Sequence, residues 1–268
     1  AGQFSVDGKP FDTRADVDAT VLLHGALLCN DAKLAERSDE TGRQSWRIVG
    51  DPTEGAMVVV AAKAGLERAG LEKSMPRVQE IPFDSDRKRM TTIHRADGAH
   101  VAFVKGAPDV LLDHCTHVQE AGLTVPMTEG KRREILDHNR DLASSALRVL
   151  GVAYRPLASV PETCTPETIE KELTFVGLLG MIDPARPEVV EAEKVAAGAG
   201  LKSVMVTGDY RDTAEAIAGE IGLRTPGGLV LTGAELDKMS DGELTAGAGK
   251  GDVDRTDEGQ IFVVMDYL

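Results

Sequence analysis

Aromatic side chains are scarce in this 268-residue chain, at 4%. That argues against an all-β sandwich, whose strands draw on aromatics. Plentiful glycine and alanine suit the tight helix–strand packing of an α/β protein instead. Cysteine is nearly missing as well. Cys29, Cys115 and Cys164 are odd in number and form no CxxC pair, which reads as reduced thiols in a cytosolic setting. Long apolar runs are absent. The stretch Leu173 to Ile182 is ten residues long, whereas a membrane helix needs ~20, so this polypeptide is not expected to cross a bilayer. No signal peptide is expected at its start. Basic residues are outnumbered, 30 against 44, for a net charge of −14. Such a surface repels nucleic acid. It also repels phosphate-bearing ligands, which therefore need locally placed cations.

The stretch Phe103-Val104-Lys105-Gly106-Ala107-Pro108 stands out among what is present. An apolar run ends on a lysine, and glycine and proline then break the strand. That lysine is either a solvated strand end or the floor of an anion site. Gly50-Asp51-Pro52-Thr53-Glu54 reads as a turn opening a helix from Thr53 to Ala64, with Glu54 in the first turn, where the helix dipole favours a carboxylate. Strands over Arg77 to Phe83 and Met90 to Arg95 flank a very charged loop. Phe83 stands directly before that loop and is odd there as a core residue. An aromatic face beside Arg87, Lys88 and Arg89 is suited to stacking a base and holding phosphates, although a core phenylalanine beside a solvated basic turn has the same spelling.

The remaining periodicities complete a coarse map. A helix is expected over Ala19 to Cys29, a charged loop from Glu36 to Ser45, a strand at Trp46 to Val49, and a strand from Gly98 to Lys105 followed by a helix to His114. His114-Cys115-Thr116-His117 fits no zinc spacing and reads as a frayed helix end. A helix spans 129–146. A buried strand follows over Ala146 to Arg155, with Arg148 projecting from it. Pro156 to Pro166 is a loop, and a domain boundary is expected between it and Asp183. Beyond the β run Leu173 to Ile182, Asp183-Pro184-Ala185-Arg186-Pro187 starts a helix. A parallel-type strand, Leu201 to Val206, ends at Thr207-Gly208-Asp209, the place where α/β sheets bind ligands. Residues 246–260 lack periodicity, and Ile261 to Met265 is a possible last strand.

Taken in order, seven motifs resemble the cytoplasmic part of P-type cation-transporting ATPases, the calcium-pump branch most closely. They are Cys29-Asn30-Asp31-Ala32, Gly50 to Glu54, Phe83 with Asp86-Arg87-Lys88, Lys105 to Pro108, Leu147-Arg148-Val149-Leu150, Asp183 to Arg186 and Thr207-Gly208-Asp209. The resemblance implies an α/β chain in two parts. An α+β nucleotide-binding domain with an antiparallel sheet occupies 1–172, and a partial Rossmann-like phosphorylation domain of haloacid-dehalogenase type occupies 173–245, with 246–268 unassigned. It further implies that ATP is the ligand. Phe83 would stack on adenine, Glu54 would lie by the base, Lys105 would line the pocket, Lys88 would add charge at its rim, and Arg148 would meet the phosphates. Asp183 and Arg186 would lie near the hinge and the nucleotide. Thr207 and Asp209 would approach the transferred phosphoryl group.

The chain departs from that family's pattern. No Asp-Lys-Thr-Gly-Thr or Gly-Asp-Gly-x-Asn-Asp segment is present, and alanine replaces proline at Ala185. The phosphorylated aspartate and the Mg2+ site would therefore lie outside this chain, whose implied partners are the membrane, actuator and remaining phosphorylation domains of a pump in the membrane. The reading is ATP binding without turnover by a fragment facing the cytoplasm. Two alternatives stay open: a soluble haloacid-dehalogenase phosphatase, for which Asp84-Ser85-Asp86 has the spelling of a nucleophile motif, and a non-catalytic nucleotide-binding module.

Overall fold

A computed structural model describes residues 3–38, 44–96, 98–145, 147–182, 185–201, 203–207, 211–224, 229–232, 235, 238–240 and 261–264. In chain order its elements are β1 (Ser5–Val6), β2 (Lys9–Pro10), α1 (Val17–Leu28), β3 (Lys33–Ser38), β4 (Gln44–Val49), α2 (Pro52–Lys63), α3 (Arg68–Ser74), β5 (Arg77–Asp84), β6 (Arg89–Ala96), β7 (Ala99–Gly106) and α4 (Pro108–Asp113). There follow β8 (Cys115–Glu120), β9 (Leu123–Pro126), α5 (Glu129–Ser144), β10 (Leu147–Leu157), α6 (Pro166–Ile169), β11 (Leu173–Ile182), α7 (Pro187–Gly198), β12 (Val206–Thr207), α8 (Arg211–Glu220), β13 (Leu229–Thr232) and β14 (Ile261–Val264). Helices and strands are mixed, as the α/β reading requires.

Two compact units divide the chain. One comprises Ala1–Leu136 with Val149–Leu179, the other Asp137–Arg148 with Gly180–Leu268. The divisions thus fall within α5, β10 and β11.

The first unit is built on a seven-stranded sheet in the order β5-β6-β7-β10-β11-β8-β9. The β5-β6-β7-β10 run is antiparallel throughout, while β11 and β8 are parallel. Alternation divides the side chains of its central strands between two faces. On one face Met90 and Phe103 pack with Leu28 and Cys29 of the α1 end. On the other, Ile93 and Ala102 pack with Ile81, Leu157 and Ile169. Val104 joins Leu111, Leu112, Leu173 and Phe175 in a neighbouring cluster. The second unit carries a parallel three-stranded sheet, β12-β14-β13. There Ala218, Ile221 and Leu223 pack against Val189, Val190 and Val230.

Helix starts follow local chemistry. Asp16 caps α1 by accepting from the Ala19 amide at 2.8 Å. Asp51 caps α2 by accepting from Thr53 and Glu54 at 2.8 and 3.1 Å, with Pro52 at the first helical position. Gly106 is required where β7 meets the turn before β6, since a Cβ there would stand 2.6 Å from the Lys88 carbonyl oxygen.

Several expectations need correction. The charged stretch from residue 36 is not all loop, because Lys33–Ser38 forms β3 and pairs with β4. His114 caps α4 but Cys115 to His117 begin β8, so the tetrapeptide is not a frayed helix end. The strand expected over Leu201 to Val206 is confined to Val206–Thr207. Residues 246–260 lie outside the described residues.

One buried histidine is expected to make the first unit acid-sensitive. His94 is 1% exposed. The Met75 carbonyl, 3.0 Å away, marks Nδ1 as the protonated nitrogen, leaving Nε2 to accept from the Thr92 hydroxyl at 2.9 Å. Burial holds its pKa below the usual 6.5, and does the same for His24 and His114. A depressed histidine favours the neutral folded form. Its contribution is fully present above about pH 6.5 and is lost as pH falls below that value. The urea midpoint should hold steady above pH ~7 and drop steadily on acidification from about pH 6.5. His94→Gln should flatten that slope; an equal slope in both proteins would refute the assignment.

Candidate functional site

The sequence marks Glu54, Phe83, Lys88 and Lys105 all fall in the first unit. Lys105 is the penultimate residue of β7. Its register partners are Met90 on β6 and Val152 on β10, so it sits in the sheet interior and is only 5% exposed. A lone ammonium at such a depth would be costly. It is met by the Glu54 carboxylate, which accepts directly from Nζ. Lys105 is therefore not a solvated strand end.

Glu54 does more than balance that charge. Its Oε2 accepts from the amides of Asp31 and Ala32, both at 3.1 Å. The Asn30 side-chain amide donates to the Glu54 carbonyl at 2.9 Å and to Ala26 at 3.1 Å. Two arginines complete the knot from outside. Arg77 donates to the Leu28 and Asn30 carbonyls at 3.1 and 2.8 Å and pairs with Asp31 at 2.7 Å. Arg68 donates to the carbonyls of Leu27, Asn30 and Ala32. Cys29-Asn30-Asp31-Ala32 is thus a joint that fixes the start of α2, and with it Glu54, against the end of β7. Cys29 itself is buried, its thiol pushed up by desolvation, and faces the Met90 carbonyl at 3.4 Å.

Phe83 is 63% exposed near the end of β5, so the core alternative does not hold. After it, Asp84 Oδ1 accepts from the amides of Asp86 and Arg87 at 3.0 and 2.9 Å. That closes an Asx-type turn and engages the Asp84 carboxylate in local structure. Lys88 ends the turn in the left-handed region, at φ 51°. Its amide returns to the Asp84 carbonyl at 2.8 Å, and its carbonyl accepts from Ala107 at 3.0 Å. The turn bearing Phe83 and Lys88 is thereby stitched to the Lys105-Gly106-Ala107 strand end. Among the described residues the Lys88 ammonium meets no ion-pair partner.

Arg87 and Arg89 do not share that availability. Glu170, with a fully buried side chain, accepts from Arg87 Nη1 at 2.6 Å, from Arg89 Nε at 2.6 Å and from the Thr91 hydroxyl at 2.7 Å. Their guanidinium groups are engaged there, which revises the expectation that all three basic residues serve a phosphate. Glu170 carried no signal in the sequence, being a single glutamate some eighty residues from its partners.

The other marked residues belong to the second unit or go undescribed. Arg148 lies on β10 and its side chain is exposed. Arg186 is exposed at the N-terminal cap of α7. Thr207 ends β12, half-buried. Asp183 and Asp209 lie outside the described residues. A pocket of about 760 Å³, lined by Phe4, Phe11, Arg14 and Lys63 among others, contains none of the marked residues.

Comparison with known proteins bears on this geometry. Residues 18–188 match the family described as P-type ATPase, cytoplasmic domain N. A calcium-transporting ATPase 1 of Bacillus cereus is 39% identical over 226 residues, covering 84% of this chain and 24% of the relative. A calcium-transporting ATPase of Bacillus subtilis is 37% identical, covering 91% and 27%. A cation-transporting ATPase of Synechocystis is 39% identical, covering 91% and 26%. The chain spans about a quarter of the length of these relatives.

Proposed function

The chain belongs to the P-type ATPase family, through its cytoplasmic domain N, and from that premise we propose that its first unit binds ATP at the turn carrying Phe83 and Lys88. The observation that carries the reading is the exposed Phe83 ring on a turn hydrogen-bonded to the strand end of Lys105. An aromatic face serves any nucleobase. The nearby ammonium of Lys88 supplies the local positive charge that a −14 chain otherwise lacks. Lys105, paired with Glu54, lines the base of the site and keeps the strand end in place beneath it.

The remaining roles follow from the same reading. Arg148, Arg186 and Asp183 attend the phosphates and the hinge, and Thr207 and Asp209 serve a partial phosphorylation domain of haloacid-dehalogenase type in the second unit. The chain presents ATP to an aspartate outside it, as one part of a membrane pump for a cation, with calcium favoured by the names of its relatives. Among the described residues no group of three His, Cys, Asp or Glu could hold a metal ion. Mg2+ is assigned to the full-length protein on the family resemblance. Among the described residues no helix is long and apolar enough to cross a membrane; transport is assigned to the whole pump, of whose relatives this chain spans about a quarter.

Calorimetric titration with ATP, GTP and inorganic phosphate tests the reading. The expected result is adenine-preferring binding at about 0.1–1 mM, with no phosphate release. Equal heats for ATP and free phosphate would reject the stacking site. Steady hydrolysis would reject the claim that the nucleophile lies elsewhere.

A further inference from the structure

Among the described residues of the first unit Glu170 is the most deeply buried carboxylate, and the nucleotide-binding motifs do not include it. It caps the one-turn helix α6, where its amide donates to the Pro166 carbonyl at 2.7 Å. Its side chain is 0% exposed and takes three donors, Arg87, Arg89 and Thr91, each within 2.7 Å. Desolvating a carboxylate and two guanidinium groups is expensive, and a pair so placed is weak ground for stability alone. Its geometry shows another use.

Each arginine passes the restraint on to the backbone of the turn. Arg87 uses its second nitrogen to donate to the Pro82 carbonyl at 2.6 Å, directly before Phe83. Arg89 donates from Nη1 to the Arg87 carbonyl at 3.0 Å, directly before Lys88. Lys88 is a non-glycine residue at φ 51°, a conformation that persists only where its surroundings over-determine it. The two residues that flank it are the two that Glu170 holds. So one buried carboxylate restrains the backbone on either side of the exposed ring and of the available ammonium.

We propose that Glu170 is a positioning residue for nucleotide binding: through Arg87 and Arg89 it holds the 82–89 turn in the shape that presents Phe83 and Lys88 to the nucleotide. The inference rests on the ATP-binding reading above. Glu170 touches no ligand in this account, and it acts only through the turn. It also keeps two cations from competing with Lys88 for the phosphates, so the charge offered at the turn is single and placed.

The test pairs ATP affinity with amide hydrogen exchange in the unaltered chain, in Glu170→Gln and in the milder Thr91→Val. Glu170→Gln should weaken ATP about tenfold, and Thr91→Val about threefold. In both variants the Lys88 and Ala107 amides, which close the turn, should exchange faster while those of α1 keep their protection. A merely structural Glu170 would speed all amides together and leave the affinity of the folded protein unchanged, which overturns the proposal. Should Glu170→Gln fail to fold, Thr91→Val decides: unchanged affinity and unchanged Lys88 exchange reject the positioning role. If the unaltered chain binds no ATP, the ATP-binding reading fails by itself, and the exchange comparison still decides whether Glu170 fixes the turn.

Discussion

Glu54→Ala should cost the chain about 3–5 kcal/mol of stability, the range for removing one partner of a buried ion pair. The Lys105 side chain is 6% exposed and Glu54 is 17% exposed. Without the carboxylate, the ammonium stays buried with no counter-charge, and the Asp31 and Ala32 amides lose their acceptor. The reverse change should be milder. Lys105→Met substitutes an apolar chain of similar length, and Glu54 keeps both amides and some exposure to water. A loss of about 1–2 kcal/mol is expected there. The double variant should be more stable than Glu54→Ala alone, a coupling that urea unfolding of the four proteins measures directly. Equal losses for the two single variants, or strict additivity, would mean that the pair is not the buried contact described.

Phe83→Ala should do the opposite: little to the fold and much to the ligand. The ring is 63% exposed, so its removal should shift stability by no more than about 0.5 kcal/mol. Stacking on a base contributes about 1–3 kcal/mol, so ATP affinity should fall roughly 5- to 150-fold. Binding of inorganic phosphate, which has no base to stack, should be unaffected. Calorimetry on a variant whose urea midpoint is unchanged separates the two effects. An affinity for ATP equal to that of the unaltered chain would remove Phe83 from the site.

Much of this was legible in the residues because the controlling interactions are local. Asp51-Pro52 carries both a capping side chain and a proline at the first helical turn, and α2 begins there. The charged run after Phe83 is bounded by alternating strands, and β5 and β6 pair around it. What escaped notice was long-range or depended on context. The β3 strand, Lys-Leu-Ala-Glu-Arg-Ser, is too charged to read as a strand, and its pairing with β4 explains it. The β8 strand opens on Cys-Thr-His and shows no clean alternation until it lies beside β11. Arg148 was placed on the right strand, projecting from it, and its side chain is exposed there. Arg87 and Arg89 looked like phosphate ligands because the carboxylate that takes them lies 83 and 81 residues away. Lys105 and Glu54 were each marked, yet nothing in their spacing of 51 residues said that they would meet.

The ligand is expected to sit on the Phe83–Lys88 turn at the Lys105 strand end. Titrating the isotopically labelled chain with ATP and following every backbone amide tests that placement most directly. The amides of residues 83–88 and 105–107 should move together with one midpoint, while those lining the pocket of Phe4, Phe11, Arg14 and Lys63 stay put. Shifts centred on that pocket, with residues 83–88 and 105–107 unmoved, would contradict it.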